Sequence, residues 1–164
     1  MNLVYIIIIV LFLGGNQSFT GKAGSGSSDI NWISLTEAQQ KTNIDGKPLF
    51  VFVEAEWCGI CKRMMNSVFP LPDITELLVE NYHPVLIDLD SGEIIIFNGE
   101  EISERNFARN MQVQQTPTMI FIDSAGDVMG RQPGFMGHDE LEKLLLYVLS
   151  EQFGVVPLTE FRFH

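Results

Sequence analysis

The chain has 164 residues and two cysteines, which stand three positions apart in the stretch Trp57-Cys58-Gly59-Ile60-Cys61. Thiols at that spacing can cycle between dithiol and disulfide, sit in a static bridge, or take half of a metal site. A static bridge between positions i and i+3 closes too small a loop to stabilise a fold much. A zinc site needs two further ligands, and His83, His138 and His164 are scattered without a paired motif. Covalent haem attachment needs a histidine directly after the second cysteine, and Lys62 stands there. Redox cycling is the chemistry that remains best supplied. It needs a thiolate, and a free cysteine near neutral pH is only slightly ionised.

The flanking residues say how a thiolate would be obtained. Leu49-Phe50-Val51-Phe52-Val53-Glu54-Ala55 is apolar and rich in β-formers, the pattern of a buried strand. Residues 62–69 read as a helix closed by Pro70. A C-x-x-C between the two puts its first sulfur at a helix N-terminus. Unpaired N–H groups and the positive end of the helix dipole favour the charged form there. The second sulfur lies one turn on, along the same helix face.

Other segments predict the scaffold. Ser34-Leu35-Thr36-Glu37 has the form of a capping box and starts a helix. Asp45-Gly46-Lys47-Pro48 is a turn into the first strand. Pro70-Leu71-Pro72 breaks the chain, and Asp73 caps a helix that carries Ile74, Leu77, Leu78 and Tyr82 on one face. Residues 84–90 form a second buried strand and 93–97 a short one, followed by a helix over 100–112. After Gln115-Thr116-Pro117-Thr118 comes a strand over 119–123. A turn at Ser124-Ala125-Gly126-Asp127 then leads to a paired strand over 128–131. A final helix runs over about 141–152, opened by His138-Asp139-Glu140. This order gives an α/β architecture, a central mixed β-sheet flanked by helices on both faces.

The formal net charge of −11 excludes nucleic acid, which needs clustered Lys and Arg, and anionic membrane surfaces. Leu3-Val4-Tyr5-Ile6-Ile7-Ile8-Ile9-Val10-Leu11-Phe12-Leu13 is too short to span a bilayer but suits a signal-peptide core. No Lys or Arg precedes it, and no clean cleavage site follows, so an uncleaved anchor is the alternative. The expected division is a signal peptide or anchor over 1–23, a flexible Gly/Ser linker over 24–30, one domain over 31–152 and a tail over 153–164. The tail has no clear period and is expected to pack against the domain. Expression outside the cytoplasm would suit a pair of cysteines that form a disulfide.

Three features together resemble the thioredoxin fold. They are Trp57-Cys58-Gly59-Ile60-Cys61-Lys62 after a strand, Thr116-Pro117-Thr118 before a strand, and a terminal hairpin followed by a helix. The likeness covers roughly residues 31–152. Cys61-Lys62-Arg63-Met64 and Arg131-Gln132-Pro133-Gly134-Phe135 are similar to exported single-domain thioredoxin-like proteins of sulfur-oxidation systems.

The resemblance implies that Cys58 attacks, that Cys61 resolves the mixed disulfide, and that no cofactor is needed beyond this dithiol. It implies that Pro117 follows a cis bond and faces the disulfide, with Thr116 offering backbone groups to a substrate strand. Trp57 would pack beside the sulfurs, and Gly59 and Ile60 would set the redox poise. Gly-Ile is neither the Gly-Pro of reducing thioredoxins nor the Pro-His of the oxidising type. The family's buried acid, six residues before the first cysteine, is here Phe52. Glu54 lies two residues on, along the same strand face, and is the candidate substitute proton acceptor for Cys61; a solvated Glu at the rim is the plainer reading. The expected protein is a monomeric reductant of protein disulfides, recharged by a membrane electron donor. A disulfide oxidase or isomerase, or a non-catalytic peptide-binding module, is the alternative.

Overall fold

A computed structural model describes residues 30–162. The apolar run near the N-terminus, nearly all of the expected linker, and His164 lie outside the described residues. The elements in chain order are α1 (Leu35–Asp45), β1 (Leu49–Glu54), α2 (Gly59–Ser67), α3 (Pro72–Asn81), β2 (His83–Asp88), β3 (Ile94–Phe97), β4 (Glu100–Ser103), α4 (Glu104–Asn110), β5 (Thr118–Ile122), β6 (Val128–Pro133) and α5 (His138–Leu149).

Four strands form the main sheet in the order β2-β1-β5-β6. β1 runs parallel to β2 and antiparallel to β5, and β5 runs antiparallel to β6. β1 and β5 are the central strands, and each reads as a continuous apolar run because both faces are covered. Phe50 and Phe52 point to one face, where Cys61 and Met64 of α2, Ile74 and Leu78 of α3 and Leu141 and Leu145 of α5 meet them. Val51 and Val53 point to the other, against Leu35 and Ala38 of α1 and Phe107 and Ala108 of α4. The chain is thus α/β, a mixed sheet with helices on both faces.

Ser34 caps α1 by accepting the Glu37 N–H, and Gly46 ends it in the left-handed conformation. The strand edge at β2 is covered by the incoming chain, whose Ile33 N–H donates to Pro84 O at 3.0 Å. Trp32 follows that contact into the core, with its ring centroid 5.3 Å from that of Phe69. Beyond α5, the Tyr147 hydroxyl donates to Val156 O at 2.6 Å. Tyr147 also lies against the rings of Phe153 and Phe161, so residues 153–161 fold back on the helix.

Three expectations about elements are corrected. Residues 100–103 are a strand and not the start of a helix, and α4 is confined to Glu104–Asn110. Asn98 and Gly99 both have positive φ (51° and 84°), which makes a two-residue hairpin loop and pairs Phe97 with Glu100. Asp73 does not cap α3. The N-cap is Leu71, Pro72 takes the first helical position, and Asp73 lies within the first turn. The last helix begins at His138 and stops at Leu149, where the Ser150 N–H bonds to Tyr147 O instead of continuing the ladder.

Asp73 has another role. Its carboxylate is hydrogen-bonded to His138 Nε2, while His138 Nδ1 meets Asp139 Oδ1 at 2.6 Å, so α3 and α5 are clipped together at their N-termini. The Asp73 and Asp139 carboxylates raise His138 from its usual 6.5, and the bond from His138 lowers Asp73 from 3.8. A raised histidine stabilises fully below its unfolded pKa and loses that stabilisation as pH rises through its folded value. A lowered carboxyl loses its contribution as pH falls. The clip is therefore strongest between the usual Asp and His ranges. The unfolding temperature of wild type should exceed that of His138→Gln most between the usual Asp and His ranges, with the gap closing as pH rises through the raised His138 titration. A gap independent of pH would show that the clip is not ionic.

Candidate active site

Cys58 is the N-cap of α2, in extended backbone, and its Sγ accepts the Cys61 N–H at 3.1 Å. The local sequence explains the position. The Cys58 N–H donates to Ala55 O, closing a turn at the end of β1, and the Lys62 N–H donates to Cys58 O, starting the helix. Gly59 and Ile60 occupy the first turn of α2, which holds no acidic residue to oppose a thiolate at the helix end. The two cysteines are disulfide-bonded. Cys58 is 5% exposed and Cys61 fully buried in the cluster that holds Phe52 and Met64, so Cys58 is the less enclosed of the two.

An apolar rim surrounds it. Trp57, Ile60 and Phe135 are exposed, with the Arg63 guanidinium 4.7 Å from the centroid of the Phe135 ring. Trp57 is not part of the core, whereas Trp32 packs against it, partly buried. Its indole N–H donates to Asp90 Oδ2 at 2.6 Å. Asp90 follows β2 and is held through its own N–H to Asp88 Oδ1 at 2.9 Å, while Arg105 Nη2 donates to its carbonyl.

Thr116 and Pro117 reach the same place through strand register. Thr118 pairs with Val53, so the two residues before it run past the end of β1, where Glu54 and Ala55 lead into the C-x-x-C. The Thr116–Pro117 peptide bond is cis. Pro117 O accepts the Gly134 N–H at 2.8 Å, and Thr118 Oγ1 donates to Gln115 O at 2.7 Å. Thr116 Oγ1 is buried and has no hydrogen-bond partner among the described residues.

Phe52 fills the space of the family's acid, fully buried and edge-on to Phe69 at 4.9 Å between centroids. Glu54, half-buried at the end of β1, is raised above its usual 4.5, first by burial and then by the neighbouring Asp88 carboxylate, with Lys62 opposing. Lys62, whose charge reaches Glu54, directly follows Cys61 in α2.

The structure thus brings Cys58, Cys61, Glu54, Trp57, Gly59, Ile60, Thr116 and Pro117 to one end of the sheet. Sequence reasoning missed Asp88, Asp90, Arg63 and Phe135 as members of this region. The strand register of β1 and β2 is the signal that would have placed the two aspartates; nothing local marks Phe135.

Known proteins resemble this chain in sequence and in fold. The chain is 22% identical over 145 residues to the thiol:disulfide interchange protein DsbD of Colwellia psychrerythraea, covering 80% of this chain and 22% of that protein. It is 30% identical over 121 residues to the thioredoxin-like protein CITRX, chloroplastic, of Arabidopsis thaliana, covering 69% of this chain and 57% of that one. The chain therefore spans well under two thirds of the length of these relatives. Among solved structures it is similar to a thioredoxin from Thermus thermophilus, with TM-score 0.62, 23% identity and coverage of 83% of this chain and 99% of that one. A putative disulphide-isomerase from Bacteroides thetaiotaomicron gives TM-score 0.59 at 25% identity, covering 74% and 93%. Residues 35–149, most of the described chain, match the thioredoxin-like domain family, and the protein belongs to it.

Proposed function

We propose that this protein is an exported thiol–disulfide oxidoreductase that reduces disulfides in protein substrates. The observation that carries this reading is Cys58 Sγ at the N-cap of α2, the less enclosed of the two sulfurs, three residues before a fully buried partner. The thiol:disulfide interchange named in the Colwellia relative supports it, as does the apolar run at residues 3–13 for export. Protein substrates suit the exposed apolar rim of Trp57, Ile60 and Phe135, and Thr116 stands where a substrate strand can pair with its backbone.

In the reaction, the Cys58 thiolate attacks one sulfur of a substrate disulfide. That S–S bond breaks, a Cys58–substrate disulfide forms, and the other substrate sulfur leaves as a thiolate. Cys61 then gives its proton to the Glu54 carboxylate, and its thiolate attacks Cys58 Sγ. The mixed disulfide breaks, the second substrate thiolate leaves, and the Cys58–Cys61 disulfide of this structure is the product. The substrate has gained two electrons. A membrane electron donor passes an electron pair to the Cys58–Cys61 disulfide, which takes up two protons and returns to the dithiol, and no further cofactor takes part. The protein acts as a monomer, without nucleic acid.

The test is the reduction potential against glutathione. A value near about −270 mV fits a reductant, and one near about −120 mV would make the protein an oxidant of secreted proteins instead. Glu54→Gln should slow resolution of the mixed disulfide near neutral pH by about 100-fold, the lower range for a general base. Because Glu54 is raised and must be ionised to act, the wild-type rate should climb with pH through its titration. Unchanged kinetics in Glu54→Gln would remove Glu54 from the mechanism.

A further inference from the structure

Glu54 and Asp88 end adjacent parallel strands and are register partners. Phe50 and Phe52 of β1 pack on the face that holds both cysteines, and Leu86 of β2 packs against the same cluster. Side chains alternate along a strand, so Glu54 and Asp88 share that face, on backbones about 4.8 Å apart. We propose that Asp88 is a positioning residue for disulfide exchange, whose carboxylate beside Glu54 sets the pH at which Glu54 takes the proton from Cys61. This rests on the reading of Glu54 as that proton acceptor.

The other charges around Glu54 leave Asp88 as its direct acidic neighbour. α2 presents Lys62, which opposes Asp88. β5 brings Thr118 and the preceding Pro117, neither of which titrates. Glu56 is exposed. α4 contributes Glu104, half-buried, whose Oε2 accepts the Asp88 N–H at 3.3 Å, and Glu93 lies beyond it. Asp88 is itself fixed, because its Oδ1 accepts the Asp90 N–H at 2.9 Å. The same Asp90 side chain holds the Trp57 indole, so one short segment ties the proton acceptor to the substrate rim.

The Asp88 charge beside Glu54 in a half-buried place raises the cost of ionising Glu54. A proton is then held more tightly by Glu54, which makes it a stronger base toward the Cys61 thiol. Burial alone would raise Glu54 in the same direction, so the experiment must remove the Asp88 charge and leave the burial in place.

Asp88→Asn does this, and it keeps an oxygen for the Asp90 N–H. In the full chain, the Glu54 carboxyl carbon should titrate at lower pH by NMR. The acid limb of the resolution rate should move down with it, and the rate at neutral pH should fall by about two- to tenfold. Asp88→Glu, which keeps the charge, should restore the wild-type profile. In a Glu54→Gln background, Asp88→Asn should move no limb at all. An unmoved Glu54 titration in Asp88→Asn, or an equal shift in the Gln background, overturns the proposal and leaves Glu54 as acceptor intact. An acid limb that survives Glu54→Gln unchanged overturns the acceptor reading, and this proposal with it.

Discussion

Cys58→Ser abolishes disulfide reduction, with a rate loss on the order of 10⁴–10⁶-fold, the cost of removing a nucleophile elsewhere. Cys61→Ser behaves differently: it attacks substrate once and stops. The difference follows from burial. Cys58 keeps a small exposure of 5% beside the exposed Trp57 and Ile60, whereas Cys61 is fully enclosed by core side chains and can be met only by the sulfur beside it. With Cys61 replaced, the Cys58–substrate disulfide has no internal thiol to break it. The adduct should accumulate in stoichiometric amount on a non-reducing gel or in intact-mass spectra, and should vanish with added dithiothreitol. Cys58→Ser should form no such adduct. Adducts on Cys61 in that variant, or multiple turnover by Cys61→Ser, would reverse the assignment of the two sulfurs.

Phe52→Ala should cost about 3–5 kcal/mol of stability and lower the unfolding temperature by roughly 10–20 °C. The side chain is fully buried and edge-on to Phe69 at 4.9 Å between centroids, with Trp32 at 6.1 Å. Removing it empties the space under the C-x-x-C helix, where Met64 and both cysteines also pack. Phe52→Asp should be worse still, because an acid there would be enclosed by aromatic rings without a cation or donor to meet it. Restoring the family's usual acid at this position would therefore unfold the domain before it aided proton transfer. Denaturant titrations of the two variants check this. A cost below about 1.5 kcal/mol for Phe52→Ala would mean that the cluster collapses to fill the gap.

The residues that do chemistry could be read from the chain because their signals are local. A β-rich run, two cysteines and an amphipathic helix specify each other within about twenty residues, and the Thr116-Pro117-Thr118 turn stands directly before its strand. The two-residue loop at Asn98 and Gly99 was legible in principle, since Asn-Gly is a strong hairpin signal. The charges after it, Glu100, Glu101 and Glu104, suit a helix start equally well and hid the short strand. What could not be read was lateral. Trp57 with Asp90, Asp73 with His138 and Glu54 with Asp88 are pairs far apart in the chain. Their meeting depends on strand register and helix packing, and a shift of one residue in β2 would put Asp88 on the opposite face.

The two tryptophans end in opposite surroundings. Trp32 is wedged among Phe50, Phe52 and Phe69, while Trp57 stands in water next to the redox sulfur, its indole tied to one carboxylate. As the chain has no third tryptophan, its ultraviolet emission is the sum of one component from Trp32, packed on aromatic rings, and one from the solvent-facing Trp57. The second adjoins the C-x-x-C in the chain, and the first packs on the cluster that contains both cysteines. A difference in emission between the oxidised and reduced protein would make the pair a label-free gauge of its oxidation state.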